Sequence, residues 1–319
     1  MPNPVTHKYF AKDVLEKSKL IQEKIKNRMD IYELFSNSFD PFFTYQQFHK
    51  IGKLADMGHN TKIDVFFLNY ISLIKKYHYE ENEEVLAALY GCITHYILDS
   101  VLHPFIIYKM GEYYKDKVWT HKYRGMHNKM EWELDAYLYE KREQKKFKYF
   151  KMHKMYSVKP FSPELIKVLD DNYKDVFNVP NGGKIYYKSI KFVERGVRFT
   201  IEDKYGIKKE FYKFVDKLTP NKAKLLSVFS TYINNIDTSS YNLDHKIWYN
   251  PWDNQISSNK SLFDLYDEAL EKCINLFEST HKFIQNEMDV DDYKMVLGKN
   301  SYVTGLPWDE ELEFKYVEY

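Results

Sequence analysis

Residues 95–103 read His95-Tyr96-Ile97-Leu98-Asp99-Ser100-Val101-Leu102-His103. In a helix, residues four apart lie one turn above each other on the same face. His95, Asp99 and His103 therefore form a ladder of three metal-type side chains along one stripe. Around them, Ile97, Leu98, Val101, Leu102 and Phe105 are apolar. Three polar groups in apolar surroundings need partners, because burying them unpaired is unfavourable by several kcal/mol. One metal ion would satisfy all three. The ladder sits in a run from 83 to 114 whose three- and four-residue apolar spacing predicts one long helix, kinked at Pro104.

A second stripe, His127, Glu131 and Asp135, repeats the i, i+4, i+8 pattern on a helix expected over 125–143. A His and a Glu at that spacing chelate one zinc from a single helix. Chance weighs differently on the two stripes. With 11 His and 46 Asp+Glu in 319 residues, about 1.6 His-x3-acid pairs are expected at random, and two are present. The His-x3-Asp-x3-His triple, at roughly 0.05 expected, carries the argument. Only two cysteines exist, Cys92 and Cys273, so any metal is held by nitrogen and oxygen.

Working outward, apolar periodicity predicts further helices over 8–28, 61–77, 162–173, 184–205 and 262–286, with a turn at Pro180-Asn181-Gly182-Gly183. The Asn- and Pro-containing run 242–254 reads as loop, the basic stretch 141–159 as a solvated helix end and loop, and the tail after Val290 has no clear assignment. The fold class is all-α: a single helical domain over 1–290, with 291–319 a tail packed on it. Lys+Arg is 47 against 46 Asp+Glu, a balance that gives no electrostatic reason to expect nucleic acid. The N-terminus lacks a charged region followed by an apolar stretch, so a cytoplasmic location is expected, with leaderless export left open. Apolar runs look too short and interrupted to cross a bilayer.

Three upstream residues complete the set. His7 follows Thr6 at the start of the first helix, Asp40 lies in Asn37-Ser38-Phe39-Asp40-Pro41-Phe42-Phe43, expected as a loop, and His59 precedes an apolar helix containing Phe66 and Phe67. Taken in order, a Thr-His, an Asp in an aromatic loop, a His before a helix, His-x3-Asp, a His-Pro and His-x3-Glu resemble the bacterial zinc-dependent phospholipase C family. That family includes the phosphatidylcholine-preferring enzymes and the alpha-toxin catalytic domain. The likeness is carried by residues 1–140 and extends more weakly to about 286. It implies an all-helical domain with two to three Zn2+ ions at the base of a cleft, an architecture shared with trinuclear zinc nucleases. Position by position, it implies Asp40, His59, His95 and Asp99 as ligands of one zinc, His103, His127 and Glu131 of a second, and His7 with the bridging Asp99 of a third.

The resemblance further implies Asp40 as general base. Asp135, one turn after Glu131, is the candidate partner for orienting a histidine ring, and Phe42, Phe43, Tyr45, Phe66, Phe67 and Tyr70 are candidate walls of a headgroup pocket. The implied reaction is hydrolysis of a phospholipid, or another phosphodiester, to diacylglycerol and phosphorylated headgroup, with peripheral membrane contact. The alternatives are a trinuclear zinc nuclease or nucleotidase and a non-catalytic, zinc-stabilised scaffold. Two departures stand out. In the secreted enzymes a mature N-terminal Trp ligates the third zinc, whereas here Pro2 would have to take that place, and His103 follows Asp99 more closely than in those enzymes.

Overall fold

The computed structural model describes residues 4–49, 51, 53–218 and 226–318; Pro2 lies outside them. The protein is all-α. In chain order the helices are α1 (Pro4–Lys17), α2 (Lys19–Ile25), α3 (Met29–Phe35), α4 (Asp40–Gln46), α5 (Leu54–Asn60), α6 (Ile63–Tyr77), α7 (Glu83–Met110), α8 (Met126–Glu143), α9 (Pro163–Phe177), α10 (Gly182–Thr200), α11 (Ile207–Leu218), α12 (Leu262–Ile284) and α13 (Val290–Leu297). Two two-residue strands, β1 (Trp248–Tyr249) and β2 (Ser257–Ser258), pair antiparallel inside the stretch after α11.

The centre is α7. Its N-terminus is capped by Asn82, whose side chain accepts from the amides of Glu84 and Val85, satisfying two donors that the helix leaves open. It ends at Gly111, which takes φ 68°, a left-handed conformation that favours glycine. This is why the helix stops short of residue 114. It runs through Pro104 without a break. On length and composition this helix is long and apolar enough to cross a membrane, contrary to the reading of interrupted runs, but nearly all of its surface is buried inside the fold. Helices α1, α2, α3, α8, α9 and α12 pack around it. Helix α3 comes close at Gly91, where a Cβ would come within 2.7 Å of the Tyr32 carbonyl oxygen.

Other boundaries shift for local reasons. The helix expected over 8–28 begins at Pro4 and breaks at Ser18, which leaves helical geometry at φ −108°, ψ 66°. Helix α9 runs on to Phe177 and ends where Asn178 turns left-handed. The basic stretch after α8 is not simply solvated: two 3-10 turns, Phe147–Tyr149 and Met152–Tyr156, bury Phe147, Met152 and Tyr156.

The aromatic assignments need correction. Phe42, Phe66 and Phe67 are 0%, 2% and 0% exposed and belong to the core. Phe42 meets Tyr173 and Tyr186, Phe66 meets Phe39, Tyr173 and Phe177, and Phe67 meets Tyr96. Rings of this size bury more apolar surface against α9 and α10 than a water-filled cleft would offer.

After α13 the chain returns across the open end of α7. Gly305, at φ 66°, lies so close that a Cβ would sit 2.6 Å from the Ser100 carbonyl oxygen and 2.9 Å from Pro104. Gly305→Ala is expected to push this segment off α7 and to destabilise the protein by about 1–3 kcal/mol, through a strained φ added to a backbone clash. Thermal or urea unfolding checks this; an unchanged midpoint would show that the segment contributes nothing to the fold.

Candidate metal centre

Three long helices and two short ones converge on one centre. His7 comes from the first turns of α1, Asp40 from the first residue of α4, and His59 from the last turn of α5. His95, Asp99 and His103 come from α7, and His127 and Glu131 from α8. Asp40 is thus helical rather than in a loop, because Pro41 stands in the first turn, where its missing N–H costs nothing.

The side chains meet at ligand spacing. His7 Nε2 lies 3.2 Å from Asp99 Oδ1, and His95 Nε2 lies 3.2 Å from Asp99 Oδ2. The His7 and His95 rings are stacked, centroids 4.2 Å apart. Asp40 Oδ1 is 3.2 Å from His59 Nε2 and 3.5 Å from His95 Nε2. His59 Nε2 and His95 Nε2 are themselves 3.2 Å apart. On the other side, Glu131 Oε1 is 2.5 Å from His127 Nε2 and 3.5 Å from His103 Nε2. Three groups therefore have ligand atoms within 4.8 Å of one another: His7, His95 and Asp99; Asp40, His59 and His95; and His103, His127 and Glu131. The two cysteines are buried and belong to none of these groups.

The rings are held in one tautomer from behind. His59 Nδ1 pairs with the Ala55 carbonyl at 2.8 Å, His95 Nδ1 with the Ser36 carbonyl at 2.9 Å, and His103 Nδ1 with the Tyr302 carbonyl at 2.6 Å. A carbonyl only accepts, so each Nδ1 carries the proton and each Nε2 turns a lone pair towards the cluster. His127 Nδ1 pairs with Glu112 Oε2 at 2.7 Å. This is how metal-ligating histidines are oriented.

The residues fit zinc on a second count. His7 Nδ1 and Nε2, both Asp99 oxygens and His103 Nε2 are buried without a hydrogen-bond partner of acceptable geometry among the described residues. Buried polar atoms of this kind call for an explanation, and an ion among imidazole and carboxylate donors supplies one. Burial alone would raise the Asp99 carboxyl, yet His103, His95 and His7 around it hold it well below the usual range.

Residues 6–179 match the family described as zinc dependent phospholipase C. The chain belongs to that family. No curated protein and no solved structure matches it. At family level this makes the protein a zinc-dependent phosphodiesterase.

Asp135 does not orient a histidine ring. It is fully buried on α8 and accepts from the Val5 amide at 3.1 Å, the Thr6 amide at 2.7 Å and the Thr6 hydroxyl at 2.6 Å. It therefore fixes the start of α1, one residue before His7. Burial pushes its carboxyl up to about 7, against the opposing effect of these donors.

Sequence reasoning missed Glu112, which follows α7 by two residues and had no periodic signal. Glu112→Ala is expected to weaken zinc binding about 10–100-fold through loss of the His127 support, measured by chelator competition. Affinity equal to the parent protein would mean that His127 needs no such partner.

The metal-free protein should also show a pH signature. Burial would lower the His127 pKa, but Glu131 and Glu112 outweigh it and raise it from 6.5 to about 9. A raised pKa stabilises the fold fully below the unfolded value near 6.5, and this contribution is lost as pH rises through about 9. Glu131, held below its usual value, contributes above about 4.5 and loses this as pH falls. The melting temperature of chelator-stripped protein is thus expected to be highest near pH 5–6 and to decline towards pH 9; a flat profile over pH 6–9 contradicts the pairing.

Proposed function

We propose that the protein hydrolyses phospholipids to diacylglycerol and a phosphorylated headgroup. In this reading His7, Asp40, His59, His95, Asp99, His103, His127 and Glu131 hold two to three zinc ions, and Asp40 is the general base. One observation carries it: Asp40, His59, His103 and His127 line a cleft of about 760 Å3 whose walls include Phe43, Trp132, Tyr156, Val193, Val197 and Phe229. A charged floor beneath apolar walls suits a molecule with an anionic phosphodiester and a hydrophobic remainder.

Zinc, when bound, supplies Lewis acidity that polarises a phosphoryl oxygen and eases deprotonation of water. The protein's own groups do the rest. Five neutral imidazoles keep the ion cluster net positive and so attractive to a phosphodiester. Asp40, its side chain 10% exposed against 0% for Asp99, reaches the cleft and takes the proton of the attacking water. The apolar walls exclude competing water and hold the glycerol end of the substrate.

The test is zinc per chain by elemental analysis, alongside turnover of a short-chain phosphatidylcholine, a chromogenic phosphocholine ester and single-stranded DNA. Zinc at two to three per chain with chelator-sensitive cleavage of the phospholipid is expected. Cleavage of DNA alone would move the protein to the nuclease reading. Bound zinc with no turnover of any of the three would leave a scaffold.

A further inference from the structure

Helix α11 is mounted with its apolar side outward. Ile207, Phe211, Phe214 and Leu218 fall on one stripe at helical spacing, and they are 73%, 61%, 60% and 70% exposed. Its opposite, polar side faces the protein. There Asp216 is buried and accepts from the amides of Leu226 and Ser227 at 2.9 and 3.0 Å. Lys209 Nζ donates to the Tyr232 carbonyl at 2.9 Å, and its amide donates to Asp203 Oδ2 at 2.8 Å. These bonds fix the rotation of the helix, so the outward stripe is a built feature. Phe199 and Tyr205, 74% and 72% exposed, extend it towards α10. Large apolar side chains exposed together along one helix face mark an interaction surface.

We infer that this face docks the protein onto an anionic lipid surface, with α11 lying in the headgroup layer. The inference rests on the phospholipid reading above and adds the place of contact. The surface charge favours lipid as the occupant. Exposed charged side chains over residues 195–218 are Arg195, Arg198, Lys204, Lys213 and Lys217, against Glu210 as the exposed acid. Basic residues flanking large apolar ones are the composition of an interfacial helix, whose binding combines apolar burial with attraction to anionic headgroups. Position favours it too. Val193, Val197 and Ile201 line the metal cleft from the same α10 end that presents Phe199 outward, and Trp132 lines both this cleft and the hollow beneath α11. Helix α11 is thus mounted next to the wall of the cleft that Trp132 forms.

The experiment is co-sedimentation of the zinc-loaded protein with vesicles of phosphatidylcholine and phosphatidylserine, and with phosphatidylcholine alone, for the parent and for the Phe211→Ser, Phe214→Ser double variant. Hydrolysis of a soluble short-chain phosphatidylcholine is measured in parallel. The parent is expected to partition onto the mixed vesicles more strongly than onto the neutral ones. The variant should bind about tenfold or more weakly, with unchanged turnover of the soluble substrate. Equal vesicle binding by both proteins, or none by the parent, overturns the inference. A parent that is dimeric by light scattering, made monomeric by the two substitutions and indifferent to vesicles, would assign the face to a second copy of the chain and overturn it as well. Vesicle binding without hydrolysis of any phospholipid would instead sink the phospholipase reading and leave the docking surface standing.

Discussion

Asp99→Asn is expected to remove zinc from the protein and to lower phosphodiester turnover by on the order of 10^3-fold or more, a rise of at least about 4 kcal/mol in the barrier. The reason is the number of groups that one carboxylate serves. Its two oxygens lie 3.2 Å from His7 and His95, 3.8 Å from His103 Nδ1 and 4.0 Å from His59. Asparagine keeps the volume but loses the negative charge and one of the two oxygens that would serve the ions. The stacked His7 and His95 rings would then face a neutral amide where the ions' counter-charge had been. The melting temperature should fall as well, because a bound ion stabilises the folded state and the variant no longer holds it. Zinc per chain, turnover and melting temperature test this together. A variant that keeps its zinc and works within tenfold of the parent would reduce Asp99 to a structural partner of the two stacked rings.

How far the sequence shows this site depends on the kind of contact. The His95, Asp99, His103 ladder is legible because helical periodicity fixes one stripe on one element, and the all-α class follows from the same spacing. His7, Asp40 and His59 come from three other helices, and no local rule brings them together; only their order along the chain pointed to a common site. What holds the rings was illegible. The acceptors behind His59, His95 and His103 are backbone carbonyls of Ala55, Ser36 and Tyr302, which every residue possesses, and Tyr302 is 199 residues from its partner.

The misplaced aromatics have a geometric cause. Phe42 stands two residues after Asp40, about 200° round a helix, and so points to the core, whereas Phe43 stands three residues after it and lines the cleft. With a loop expected at Asp40, both rings stood as candidate walls, and nothing separated the one that lines the cleft from the one in the core. Helix α11 was missing from the sequence reading altogether: Ile207, Phe211, Phe214 and Leu218 recur at helical spacing, but periodicity does not say which way such a stripe faces, and the bonds made by Asp216 and Lys209 turn it outward.

Asp40→Asn is expected to separate chemistry from metal binding. Turnover should fall by about 10^2–10^4-fold, the usual contribution of a positioned base, while zinc content changes little. Asparagine retains an oxygen for the position where Asp40 Oδ1 lies 3.2 Å from His59 Nε2 and 3.5 Å from His95 Nε2, but an amide oxygen does not take up a proton near neutral pH. Binding of a non-hydrolysed phosphonate analogue should survive, so the loss falls on kcat rather than on KM. The contrast with Asp99 decides between roles. If zinc leaves with activity in Asp40→Asn, the residue acts mainly as a ligand and the base must be sought among the other acids facing the cleft, Glu112 and Asp56. If zinc stays and turnover stays, Asp40 has neither role, and the shared contact with His59 and His95 is an ion pair of the metal-free protein alone.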